Sequence, residues 1–164
     1  MQGSIVQVNI SRGGVPKWPI DEGFVSPLGI EGDVQAHPQF HGGPRQAILL
    51  VTSEALEELV AKGYPVGPGS LGENLTTRGI DPRQLRIGQR FRAGQAVLEL
   101  TKLRVPCAQL DIYGPDIKGE LYDREVKAGN TVSPKWARGG FYAAVVQTGA
   151  VRANDIISLL DLVV

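Results

Sequence analysis

The stretch Gln46-Ala47-Ile48-Leu49-Leu50-Val51-Thr52-Ser53-Glu54-Ala55-Leu56-Glu57-Glu58-Leu59-Val60-Ala61-Lys62-Gly63 joins two periodicities and decides what kind of fold the chain can have. Gln46 to Thr52 is an apolar run of strand length. Ser53 can then cap a helix, with Glu54, Glu57 and Glu58 near its positive end and Ala55, Leu56, Leu59 and Val60 as its buried stripe. Lys62 falls in the last turn and Gly63 stops it, so the spacing predicts a helix from about Glu54 to Lys62. It is the one regular helix the chain predicts.

Outward from this unit the signals are those of short strands. Ser4 to Ile10 alternates, with Val6, Val8 and Ile10 on one face and Gln7 and Asn9 on the other. Gly13 to Pro19 holds too many breakers for either regular element, and Asp21 to Pro44 is likewise punctuated into an irregular stretch. Glu73 to Thr77, Arg90 to Arg92 and Gln95 to Leu103 read as strands, the last with Ala96, Leu98 and Leu100 on one side. A polar stretch from Asp111 to Arg138, with short helical turns, leads to closing strands at Gly140 to Gln147 and Ile156 to Val163. About seven short strands around one helix predict a mainly β fold, a barrel or sandwich, in a single domain over residues 1–164, because a parallel α/β fold needs a helix between most strands.

Composition narrows the function classes. The chain has 164 residues with 21 Gly and 11 Pro, about a fifth of its positions against the roughly 12% of average usage, which excludes long uninterrupted helices. Lys plus Arg and Asp plus Glu each total 17, so no global field exists to hold a polyanion, and neither nucleic acid nor an anionic membrane is an expected partner. One cysteine excludes an intrachain disulfide. With no signal-peptide pattern at the N-terminus and no apolar run of membrane-spanning length, a cytoplasmic location is expected.

Several motifs could carry chemistry. Gly67-Pro68-Gly69-Ser70-Leu71-Gly72 satisfies a dinucleotide-binding glycine pattern, but it follows a helix, contains Pro68 and leads toward a strand, so it reads as a turn. His37 and His41 have zinc-like spacing, yet Pro38 and Gly42 argue against a helix carrying both. His41 remains of interest because His-Gly-Gly-Pro-Arg precedes a buried strand. Cys107, the lone thiol, follows Arg104-Val105-Pro106 just past a strand end, where a neighbouring guanidinium would favour the thiolate needed for attack or for holding a soft metal. Glu73 and Asn74 cap a turn in the bland reading; a buried carboxylate and carboxamide would also suit the donors and acceptors of a heterocycle such as a pterin.

Taken together, Ser11-Arg12-Gly13-Gly14-Val15-Pro16-Lys17, Gly29-Ile30-Glu31-Gly32-Asp33, His41-Gly42-Gly43-Pro44, Gly72-Glu73-Asn74-Leu75-Thr76, Ile87-Gly88-Gln89-Arg90-Phe91 and Pro106-Cys107 resemble, in order and spacing, the MOSC domain family, in particular its small stand-alone bacterial members. Gln89 stands where the family often has Asp, Asn154-Asp155 where it often has Gly-Asp, and residues 114–135 match least well.

The resemblance implies a closed or partly open β-barrel that binds the pterin-based molybdenum cofactor, with Cys107 as the protein ligand of the metal; pyridoxal phosphate is not expected. It implies either reduction of small N-hydroxylated compounds or, alternatively, a carrier of cofactor or sulfur in which Cys107 bears a persulfide. Reduction would need a separate electron-donor protein, since the chain has no flavin, haem or iron–sulfur signature. His41 and Glu73 are then candidate proton sources beside Cys107, and Arg12, Lys17, Arg45, Asn74, Thr76 and Arg104 candidates for holding the cofactor and its phosphate. Lys17, Arg45, Arg104, His41, Glu73, Asn74 and Cys107 are expected to meet in one cleft.

Overall fold

The computed structural model describes residues 1–35 and 42–160. Seven strands make a closed barrel: β1 (Gln2–Ile10), β5 (Ile48–Thr52), β6 (Leu75–Arg78), β7 (Arg90–Ala93), β8 (Ala96–Leu103), β9 (Phe141–Gln147) and β11 (Ile156–Leu159). Around the barrel they run β11-β7-β8-β9-β5-β6-β1, and β1 pairs back onto β11 with Gln2 opposite Ser158 and Ser4 opposite Ile156. Closure leaves no free edge within the ring. Among the described residues β5 and β6 form the parallel pair, Leu50 opposite Leu75, and the helix predicted from the opening stretch, α1 (Ser53–Ala61), makes the crossover between them.

The barrel interior follows from strand alternation. Ala96, Leu98 and Leu100 of β8 point inward with Ile48 and Leu50 of β5, Phe91, Phe141 and Ala143, as the period of two predicts for β8. On β1 the alternation changes phase: a bulge between Ile5 and Gln7 lets both Ile5 and Val8 reach the core. The expected face of Val6, Val8 and Ile10 is therefore corrected, with Val6 only half-buried. β5 is apolar throughout because both of its faces are covered. Leu49 and Val51 point outward, where Leu56 and Leu59 of α1, Leu110, Ile117 and Leu121 cover them in a second cluster.

Three expectations for α1 and its surroundings need correction. The N-cap is Thr52, whose hydroxyl accepts from the Ala55 amide at 3.1 Å; Ser53 is already helical. Val60 is 52% exposed and outside the buried stripe. The two stretches expected to be irregular are not wholly so: β2 (Trp18–Ile20) begins within Gly13 to Pro19 and lengthens the sheet beside β1, while β3 (Glu22–Ser26) and β4 (Gly29–Ile30), within Asp21 to Pro44, join β10 (Gly149–Arg152) in a small separate sheet. These strands are too short to show a period. The helical turns expected between 111 and 138 are present as a 3-10 segment at Ala108–Tyr113, α2 (Ile117–Leu121) and α3 (Arg124–Lys127). Trp136, which follows them, is buried in the barrel core with its indole N–H donating to Leu85 O at 2.8 Å.

Candidate functional site

The site is built where three connections cross the outer face of β5 and β9. After β1 the chain runs through Gly14 and Val15 to Lys17. The glycine-rich turn at 67–72 packs against this loop, with the Lys17 amide donating to Gly69 O at 2.9 Å. Gly69 has a φ of +88°, and a Cβ there would lie 2.3 Å from Lys17 O, so glycine is required by the close passage of two backbones and not by a nucleotide phosphate. The third connection leaves β8 through Arg104 and Pro106 to Cys107, where the 3-10 segment begins.

A half-open cleft lies between these connections, with Lys17, Leu71, Asn74, Arg104, Cys107 and Tyr142 among its walls and a volume of about 50 Å³. That is room for a few atoms at the thiol, so a larger ligand would extend out of the mouth. Of the residues expected to meet, Lys17, Asn74, Arg104 and Cys107 do so. His41, like His37, lies outside the described residues. Arg45 is exposed just beyond Gln46, which does line the cleft, and Arg12 lines a neighbouring groove with Val15 and Trp18.

Glu73 and Thr76 are wholly buried behind the cleft wall. One carboxylate oxygen of Glu73 accepts from the Leu71 amide at 3.2 Å and the other from the Thr76 hydroxyl at 3.0 Å. The same hydroxyl accepts from Asn9 Nδ2 at 3.2 Å, so Asn9, Thr76 and Glu73 form a buried chain. Burial pushes the Glu73 carboxyl up to about 7, against the opposing effect of the hydrogen bonds from its own amide, Gly69 and Thr76 and of the Arg104 charge.

Asn74 is fixed from several sides. Its Oδ1 accepts from the Leu49 amide at 3.1 Å, while its Nδ2 donates to Asp33 Oδ2 at 2.9 Å and to Asn9 O at 3.3 Å. Asp33 also takes the Ser11 amide at 2.9 Å and forms a buried ion pair with Lys17. It holds the β1 loop against Asn74 and matches the Lys17 charge. Sequence reasoning quoted Asp33 within a motif without giving it a role; Gln46, Gln109 and Tyr142, which also line the cleft, carried no motif signal.

Arg104 is the unusual member. It is 4% exposed, and its guanidinium donates to Leu71 O at 2.8 Å and Gly139 O at 3.3 Å, which fixes its plane. Its Nε is buried without a hydrogen-bond partner. Burial draws its pKa down, opposed by the charges that Tyr142, Cys107 and Glu73 carry when ionised. A buried cation with an unused donor beside a lone thiol leaves the cleft wall one acceptor short, a cost a ligand could relieve. Among the described residues no group of three or more His, Cys, Asp and Glu side chains could hold a metal ion.

Comparison with known proteins gives a consistent picture. Residues 37–158 match the family model described as the MOSC domain. The chain is 32% identical over 136 residues to YflK of Bacillus subtilis, covering 80% of this chain and 56% of YflK. It is 34% identical over 96 residues to YiiM of Escherichia coli, covering 55% of this chain and 42% of YiiM. The crystal structure of that YiiM superposes with a TM-score of 0.70 at 25% identity over 99% of this chain and 71% of the other. A protein of Gibberella moniliformis named Reductase is 29% identical over 143 residues, 84% of this chain but 24% of its own length. The chain thus spans about half or less of the curated relatives it matches.

Proposed function

The chain belongs to the MOSC domain family, and from that premise we propose that the Cys107 cleft binds the pterin-based molybdenum cofactor and reduces small N-hydroxylated compounds with electrons from a separate donor protein. The observation that carries this reading is the pairing of Cys107 with Arg104, a soft ligand beside a buried cation whose Nε lacks an acceptor. Thiolate suits a soft metal, and the guanidinium suits the polar or anionic parts of a pterin phosphate. The donor set therefore fits the group.

In this reading Cys107 is the protein ligand and Arg104, held rigid by Leu71 O and Gly139 O, donates through Nε. Lys17 keeps N–H donors beyond the one engaged by Asp33, and these are available to a phosphate oxygen. Asn74, locked by Leu49, Asp33 and Asn9, shapes the wall facing the ligand. Glu73 and Thr76 support that wall from behind. The bound cofactor supplies two-electron redox chemistry and a Lewis-acid position. The overall change takes R–NHOH, two electrons and two protons to R–NH2 and water: the N–O bond breaks and its oxygen leaves as water. His41 is retained as a proton source for that oxygen, imidazole being the side chain that titrates near neutrality. A reducing compartment such as the cytoplasm would keep the Cys107 thiol available for this chemistry.

The test is to express the chain in a molybdenum-replete host with an intact cofactor pathway and measure molybdenum and pterin per chain. We expect near-stoichiometric molybdenum in the wild type, at least a tenfold loss in Cys107→Ala and Cys107→Ser, and an unchanged fold by circular dichroism, since one small side chain at a loop start contributes little packing. With dithionite as reductant the loaded protein should reduce N-hydroxylated purines or amidoximes. Equal molybdenum in wild type and variants would remove Cys107 as the ligand. Loaded protein that reduces nothing but passes cofactor or persulfide sulfur to an acceptor would establish the carrier instead.

A further inference from the structure

The chain as a whole is neutral, yet its charges are not evenly matched over its surface. Most carboxylates with a role in ion pairs lie away from the cleft: Glu57 and Glu58 of α1 pair with Arg78, Arg83 and Arg138, Glu99 with Arg90, Glu120 with Lys62 and Arg138, and Glu22 with Arg152. Around the Cys107 cleft, Asp33 is taken by buried Lys17, and among the described residues Arg12, Arg45 and Lys102 have no carboxylate in ion-pair range; Arg92, Arg124 and Lys127 elsewhere have none either, so what sets the first three apart is their place beside the cleft.

All three cations are exposed. Arg45 sits beside Gln46 on the cleft, and its carbonyl accepts from the Thr101 hydroxyl at 2.6 Å, which brings it next to Lys102. Lys102 Nζ stands 5.7 Å from the ring centre of Tyr142, another cleft residue. Arg12 lines an adjoining groove that shares Val15 with the cleft and carries Trp18, 65% exposed. Apolar side chains are exposed here as well: Val34 on the cleft wall, and Val105, two residues before the thiol and 55% exposed. Exposed acids are present as well: Glu31, in the turn beside Gly32 of the Arg12 groove, Asp21 just after Trp18–Ile20, and Asp111, which Lys118 pairs.

We propose that this rim is the docking face for an acidic electron-donor protein, with Arg45 and Lys102 beside the cleft and Arg12 in the adjoining groove gripping its carboxylates around exposed apolar side chains. The inference rests on the reductase reading, which requires an external donor. Unmatched exposed cations around an opening steer and orient an oppositely charged partner even on a chain of zero net charge. An apolar centre with a polar rim is the ordinary anatomy of a protein interface, and redox encounters are at the small, transient end of the range. The complex is therefore weak and salt-sensitive, and it brings the donor's redox group over Cys107.

The probe is an acidic flavodoxin titrated into the full, molybdenum-loaded chain by calorimetry at low and high ionic strength, with basic cytochrome c as the charge-inverted control. Trp18 gives a second readout, because the other tryptophan, Trp136, is buried and fluorescence changes report on the Arg12 side. We expect flavodoxin to bind and cytochrome c not to. Affinity should fall about tenfold or more in Arg45→Glu/Lys102→Glu and at high salt. Arg90→Glu, whose partner is Glu99, should not change it. Equal binding to wild type and the double variant, or tighter binding of single-stranded RNA than of flavodoxin, overturns the docking face. The two readings fail distinguishably: turnover with dithionite but no charge-dependent binding removes the docking face alone, whereas charge-dependent binding without any turnover removes the reductase reading and with it the electron-donor role of this face, leaving only a surface for an acidic partner.

Discussion

With both oxygens of Glu73 engaged by Leu71 and Thr76 and no solvent contact, its proton is set by the fold. Its folded pKa, about 7, lies above the ordinary 4.5, so the folded chain binds this proton more tightly than the unfolded chain does. Protonation therefore supports the fold fully below about pH 4.5 and that support is lost as pH rises through about 7, a change on the order of 3 kcal/mol. Glu73→Gln should flatten this slope: in urea denaturation across pH 5 to 8 the wild type weakens relative to the variant, and parallel curves would contradict the assignment. At this scale the residues legible in the sequence were those with distinctive chemistry. Cys107 stood out as the lone thiol, and Lys17, Asn74 and Arg104 lay in quotable motifs. Asp33 was legible only as a motif letter, because its role depends on Lys17 and Asn74 arriving from distant segments. Tyr142 was read as one more residue of a strand, since nothing in its neighbours reveals that it faces the cleft.

Thr52 ends β5 and caps α1 with one side chain, so the strand-to-helix junction hangs on its hydroxyl. Thr52→Ala removes the acceptor for the Ala55 amide and should cost about 1 kcal/mol, lowering the calorimetric melting temperature by about 2–4 °C, with Thr52→Ser recovering most of it. No recovery in the serine variant would assign the loss to packing of the methyl group. The elements that sequence periodicity located were those long enough to repeat it: α1 with its spaced leucines, and β8 with three inward residues in alternation. β2, β3, β4 and β10 have between two and five residues each and include Pro19 and several glycines, so they show composition without period. β3 and β10 in addition find each other across most of the chain, with Gly149 opposite Val25. The cap was assigned one residue late for a related reason: Thr and Ser are adjacent, both are good caps, and only backbone geometry separates them.

At the scale of the molecule, the barrel closes by pairing its first strand with its last. Gln2 lies opposite Ser158, and the Leu159 amide donates to Met1 O at 2.9 Å. Strand order in the ring is thus independent of where the backbone is cut. A circular permutant that joins residue 164 to Met1 through a short glycine–serine bridge and opens at the exposed turn near Val132 should fold with the wild-type far-ultraviolet spectrum and unfold in one transition. Loss of cooperative unfolding would show that closure depends on free ends. The same seam makes the barrel a graft-ready cassette: Met1 and Leu159 lie side by side, so a host polypeptide can enter and exit through one doorway.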